Sequence, residues 1–127
     1  MVIEIWTARV GYAGGDRLDI SVAGASRPDN GLGAILAPSW DLVWGIKRGE
    51  IGEQEYEGRY LAMLRKRYRQ DPCGWDVLLD KLARQGSVTL CCYCPKGAFC
   101  HRVIAAEKVL KPLLLSRGFE VVLKGER

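Results

Sequence analysis

The run Ser87–Cys94 is apolar, has strand length and lacks polar alternation, the pattern of a strand covered on both faces. Pro95–Phe99 reads as a loop, Cys100–Leu115 as a helix closed by Gly118, and Phe119–Lys124 as a last strand. Two strands joined by so long a connection cannot form a hairpin. They run parallel, with a right-handed crossover between them. Pro112 falls about three turns into that helix, where its missing N–H predicts a kink or break.

The rest of the chain extends this unit. Val2–Ala8 reads as a first strand, Gly14-Gly15-Asp16 as a turn and Leu18–Val22 as a short second strand. Ala23–Leu36 reads as a loop held by the turn chemistry of Pro28-Asp29-Asn30-Gly31. Three helices then follow: Trp40–Arg48 capped by Ser39, Glu53–Gln70 with acids in its first turn, and one opened by Pro72 and stopped by Gly86. Tyr56, Tyr60, Met63, Leu64 and Tyr68 recur at helical spacing and form a packing stripe. The chain has 127 residues, 48% of them hydrophobic and 27% charged, which suits one domain with a real core. The expected fold is α/β: residues 1–127 as a single three-layer domain with a mainly parallel sheet flanked by helices.

Composition narrows the setting. No apolar run approaches the roughly 20 residues needed to cross a bilayer. Met1 leads directly into Val-Ile-Glu-Ile-Trp rather than into a signal peptide, so a cytoplasmic protein without a membrane partner is expected. The five cysteines are odd in number, and four of them, Cys91, Cys92, Cys94 and Cys100, fall within ten positions. A secreted disulfide framework spreads its cysteines to staple distant loops, whereas this cluster points to a site. The net charge of +4 is uneven. Residues 1–46 carry a net −2, and residues 47–127 a net +6. Arg59, Arg65, Lys66, Arg67 and Arg69, with Tyr68, make a basic helix that reads either as a solvated face or as a nucleic-acid contact.

The segment from Cys92 to Arg102 joins the carboxyl end of a buried strand to the start of a helix, the junction where open α/β sheets bind ligands. Lys96 and Arg102 add positive charge there, so an anionic small molecule, a nucleotide or phosphorylated compound, is the expected partner. The same field lowers the pKa of a thiol at Cys100. His101, the only histidine, adjoins it and supplies acid–base chemistry. In this reading Cys100, His101 and Arg102 are the catalytic candidates, and Cys92, Cys94, Lys96, Arg9 and Asp16 the ligand-binding ones.

Other readings stand beside it. A cysteine-phosphatase loop needs thiol and arginine six positions apart, and Cys94 and Arg102 are eight apart. Cys92, Cys94, Cys100 and His101 have the right types for zinc or another soft metal, but Cys100 and His101 are adjacent and point about 100° apart on a helix. No metal is therefore assigned, and the cofactor is left open. Cys91 and Cys92 also suit small buried positions on the strand, and a Cys94–Cys100 disulfide would make a redox switch.

The residues Val88-Thr89-Leu90-Cys91-Cys92, Cys100-His101-Arg102, Ala105-Ala106-Glu107 and Gly118-Phe119-Glu120-Val121-Val122 resemble the C-terminal half of the DUF488 domain. Ala37-Pro38-Ser39-Trp40-Asp41-Leu42-Val43-Trp44, with Tyr56 and Arg59-Tyr60, is similar to a short branch of that family. The resemblance runs from about Trp6 to Val122. It implies a prokaryotic or phage protein, a strand ending in Cys, an eight-residue step to a Cys-His-Arg triplet, and no defined reaction. Many members carry an acid two places after the first Cys, where this chain has Cys94.

Overall fold

In the computed structural model residues 1–24, 31–94 and 99–127 are described. The elements are β1 (Val2–Arg9), β2 (Arg17–Asp19), a 3₁₀ turn (Leu32–Leu36), α1 (Trp40–Lys47), α2 (Glu53–Gln70), α3 (Pro72–Gln85) and β3 (Ser87–Cys92). Then come α4 (His101–Ile104), π-helical turns (Ala105–Leu110), α5 (Lys111–Ser116) and β4 (Glu120–Glu126). The four strands form one parallel sheet in the order β2-β3-β1-β4, so the expected α/β domain with a parallel sheet is found.

Local chemistry explains the boundaries. The Ser39 hydroxyl accepts from the Leu42 N–H at 3.3 Å and starts α1. The Asp71 carboxylate accepts from the Gly74 N–H at 3.1 Å, with Pro72 in the first turn of α3. Strand β2 is shorter than expected because the Asp19 carboxylate accepts from the Ser21 N–H (2.9 Å) and hydroxyl (2.6 Å), folding the chain away from the ladder. Strand β3 ends at Cys92 rather than Cys94, and β4 runs on to Glu126. The 3₁₀ turn lies where a loop was expected; five residues carry too little periodicity to announce it. Pro28, Asp29 and Asn30 of the expected turn lie outside the described residues.

Pro112 does not break its helix. The Lys111 N–H reaches back five residues to the Ala106 carbonyl, and these wider π turns lead into the proline. The helical course from His101 to Ser116 is therefore continuous.

Both long crossovers, β2 to β3 and β3 to β4, step the same way across the sheet, which for right-handed connections places them on the same face. That face holds the core: Ile3, Ile5, Leu18, Ile20, Val88 and Leu90 pack against α2, α3 and the His101–Ser116 helix. The layer on the other face is a polar strap of residues 10–16 rather than helix. There the Asp16 carboxylate accepts hydrogen bonds from Ser87 (2.8 Å), Tyr12 (2.8 Å) and Thr89 (3.0 Å), and the Asp16 carbonyl accepts from the Thr89 N–H.

Burial alone would raise the Asp16 pKa. The hydroxyls of Ser87, Tyr12 and Thr89 outweigh it and hold the carboxyl below its ordinary value. A depressed carboxyl stabilises the fold above its unfolded pKa, and that stability is lost as pH falls through the folded value. Asp16→Ala is expected to lower the unfolding free energy by about 1–3 kcal/mol at neutral pH, measured by urea denaturation. Asp16→Asn should blunt the wild-type loss of stability below about pH 4. A wild-type curve for either variant would show that the strap is dispensable.

Candidate functional site

Cys92 is the last residue of β3, on the same face as Val88 and Leu90, and its Sγ lies 2.8 Å from Cys100 Sγ. Cys94, two residues on and half-buried, brings a third sulfur; all three lie within 4.8 Å of one another. Cys91 points to the opposite face, where burial raises its thiol pKa to about 11, the behaviour of a packing residue. Cys73 stands exposed and apart.

His101 Nε2 is 2.7 Å from the Ile20 carbonyl. A carbonyl only accepts, so Nε2 carries the proton and Nδ1 presents its lone pair to Cys100 Sγ, 3.5 Å away. Burial lowers the His101 pKa and keeps the ring neutral.

Arg102 is 1% exposed. Its Nη1 donates to Cys92 Sγ (2.8 Å) and to the Cys94 carbonyl (2.9 Å). Its Nε and Nη2 donate to the two carboxylate oxygens of Glu126 (3.1 and 3.0 Å). Glu126 in turn accepts from Thr7 Oγ1 at 2.6 Å.

Glu126 reaches this position through a bulge. Leu123 lies beside Ile5, but Trp6 pairs with Gly125 and Thr7 with Glu126, so one residue of β4 is skipped. Without the skip, strand alternation would aim Glu126 at the opposite face. Gly125 has φ +93°, a conformation glycine adopts without strain.

The three thiols share a charge unevenly. Cys94 receives hydrogen bonds from Cys100 and Cys92 against the opposing effect of burial, and Arg102 and Lys47 add positive potential. Its pKa is brought down to about 3. Cys100 is pushed upward by its place between Cys92 and Cys94 and by burial, so it keeps its proton and acts as donor. The sequence places the low-pKa thiol at Cys100; the geometry moves it to Cys94.

Two clefts meet at the cluster. One of about 380 Å³ reaches Cys92, Cys94 and His101 between Trp40, Tyr56 and Phe99. Another of about 630 Å³ reaches Cys100 alongside Thr7, Glu107 and Glu126. Of the remaining site candidates, Arg9 is exposed and pairs in register with Cys92. Asp16 lies on the far face of the sheet, away from the thiols. Lys96 falls outside the described residues. The end of the first strand, near Thr7 and Arg9, is expected from the sequence to face this turn, and Thr7 does meet the Arg102 partner Glu126; Glu126 and the aromatic wall carry no such signal.

On the basic helix, Arg67 Nη1 donates to the carbonyls of Ile35 (3.0 Å) and Ala37 (2.6 Å), a structural role. Arg59 pairs with Glu55 one turn before it. Arg65 and Arg69 line a separate groove of about 370 Å³ with Tyr68 and Trp75. No helix among the described residues is long and apolar enough to cross a membrane.

Fold and site together define a small parallel α/β domain with a thiol–histidine–arginine cluster at the carboxyl end of a central strand. A family model described as the active DUF488-N3 subclade matches residues 32–113. The chain belongs to the DUF488 family, as the sequence resemblance implies. No curated protein and no solved structure matches it. The matched stretch includes Cys92, Cys94 and the Cys100-His101-Arg102 triplet but ends before Glu126.

Glu126→Ala leaves the buried Arg102 guanidinium without its carboxylate and is expected to cost about 3–5 kcal/mol in chemical denaturation. Gly125→Ala meets no neighbour within 4 Å, so its expected cost of about 1–3 kcal/mol is backbone strain. If both variants unfold like the wild type, the bulge and ion pair do not hold the site.

Proposed function

We propose that this DUF488 protein is a thiol-dependent group-transfer enzyme, with its ligand pocket at the strand-to-helix turn 92–102 and Cys94 as nucleophile. One observation carries the reading: three sulfurs within 4.8 Å of one another, beside a buried guanidinium that Glu126 holds in place. The description of the matched subclade as active agrees with it.

The division of labour follows from the protonation states. The Cys94 thiolate attacks an electrophilic atom of the ligand, forming a bond to sulfur while the leaving group departs with its electron pair. Cys100 gives its proton to that leaving group and is left as a thiolate facing Arg102 and His101. Attack by water or another acceptor then releases the product, its proton returns to Cys100, and Cys94 is again a thiolate. Arg102 is committed to Cys92, Cys94 and Glu126, so it orients and charges the thiols rather than gripping an anion.

A lowered pKa means that the thiolate persists as pH falls, down to the folded value. In a Cys73→Ser background, iodoacetamide labelling followed by mass spectrometry should find Cys94 modified at nearly constant rate from about pH 5 to 8. An ordinary thiol with pKa about 8.5 would gain about tenfold per pH unit over that range. Such a climb at Cys94 would overturn the proposal.

The same three sulfurs support a second reading, a soft metal held by Cys92, Cys94 and Cys100. Elemental analysis of the purified protein separates the two. About one equivalent of zinc per chain, with labelling of Cys94 blocked until chelation, would favour the metal.

A further inference from the structure

The cleft above Cys94 has features that the thiol chemistry does not require. Trp40 and Trp44 sit one turn apart on α1, with ring centroids 6.3 Å apart and planes inclined by 22°. They remain 52% and 46% exposed, while Leu42 and Gly45 supply the buried contacts of that helix. An exposed indole pair is a large apolar surface left unused by folding. Lys47 Nζ lies 5.6 Å, and Arg48 Cζ 5.4 Å, from the centre of the Trp44 ring.

Trp40, Val43 and Lys47 all line the same cleft. Its inner wall is Tyr56 set edge-on to Phe99, with ring centroids 5.4 Å apart. The lining therefore combines aromatic faces with a cation, Lys47. Trp40 and Lys47 are about 10 Å apart along the helix, on the order of the length of a base–sugar–phosphate unit. The volume of about 380 Å³ lies near the lower limit of small-molecule sites, roughly 300–1,000 Å³. Glu53 is the acidic group on this lining. It would accept from the amino group of a base, and it opposes a bare anion.

We propose that this cleft binds a nucleotide unit, its base stacked on Trp40 against the Tyr56–Phe99 wall, its phosphate toward Lys47, and its reacting atom toward Cys94. The assignment rests on the proposed reaction for the role of Cys94, but the binding itself does not need turnover. A base is planar and stacks without regard to its edge, which is what an indole face recognises. The nucleotide unit can arrive as a free mononucleotide or as part of a single strand.

Calorimetric titration of the wild-type protein with AMP, adenosine, ribose 5-phosphate and a short single-stranded oligodeoxyadenylate tests this. AMP or the oligonucleotide should bind, and whichever binds more tightly identifies the source. Ribose 5-phosphate should bind at least tenfold more weakly than AMP. Trp40→Ala should weaken AMP and adenosine alike by about tenfold or more, while Trp40→Phe, which keeps a ring, retains most of the affinity. Lys47→Ala should weaken AMP and leave adenosine unchanged. No binding of AMP or the oligonucleotide to the wild type, or equal affinity of Trp40→Ala and wild type, would overturn the inference. Failure of the thiol chemistry shows separately, as a steep pH dependence of Cys94 labelling with nucleotide affinity intact.

Discussion

The ion pair between Arg102 and Glu126 ties together segments that the sheet alone would leave separate. Arg102 follows the cysteine-rich turn, Glu126 ends strand β4, and Thr7 of the central strand supports the carboxylate from between them. A guanidinium so deeply buried is costly unless its donors are met, and here they are met by a bidentate carboxylate, a sulfur and a backbone carbonyl. The pair thereby fixes the turn that carries Cys94 and places a permanent positive charge against the thiols. Both jobs need the same geometry. An arginine free enough to grip a ligand would hold the thiols less firmly.

Much of the fold was legible in the sequence because its signals are local. The α2 boundaries follow from composition and periodicity over a long stretch, and α3 is bracketed by Pro72 and Gly86, the latter at φ +75°. The parallel arrangement followed from the connection length between β3 and β4. What escaped depends on context. Of the kink or break expected at Pro112, the structure shows an irregularity without a break: π turns ahead of it move the backbone bonding five residues back. The strap of residues 10–16 takes the place of a second helical layer, since both crossovers step in one direction across the sheet.

The candidate site was half legible for similar reasons. Cys92 and Cys94 share a side by simple strand alternation, and Cys100-His101-Arg102 is contiguous, so these residues could be grouped without a structure. Glu126 could not. Alternation from Leu123 aims it at the wrong face, and only the skipped residue at the bulge brings it to Arg102. The place of Asp16 also depends on context. It follows a strand end in the sequence, yet its chain segment crosses to the far face and caps Ser87 and Thr89 there.

The two faces of the sheet solve the same electrostatic problem in different ways. On the far face the Asp16 carboxylate is stabilised chiefly by hydroxyls, with the Arg127 guanidinium 3.9 Å away adding to them. On the near face three sulfurs sit beside an arginine, and all three border clefts: Cys92 and Cys94 one, Cys100 the other. A cluster of three cysteines kept only for packing would be neutral and would need no cation. Arg102 meets its own charge in Glu126, and the sulfurs beside it gain a fixed positive potential. Glu126 alone already balances Arg102. The hydrogen bond from Arg102 to Cys92 therefore adds stability chiefly when the thiols hold the additional negative charge, which ties the fold's most expensive contact to the chemistry of the cysteines.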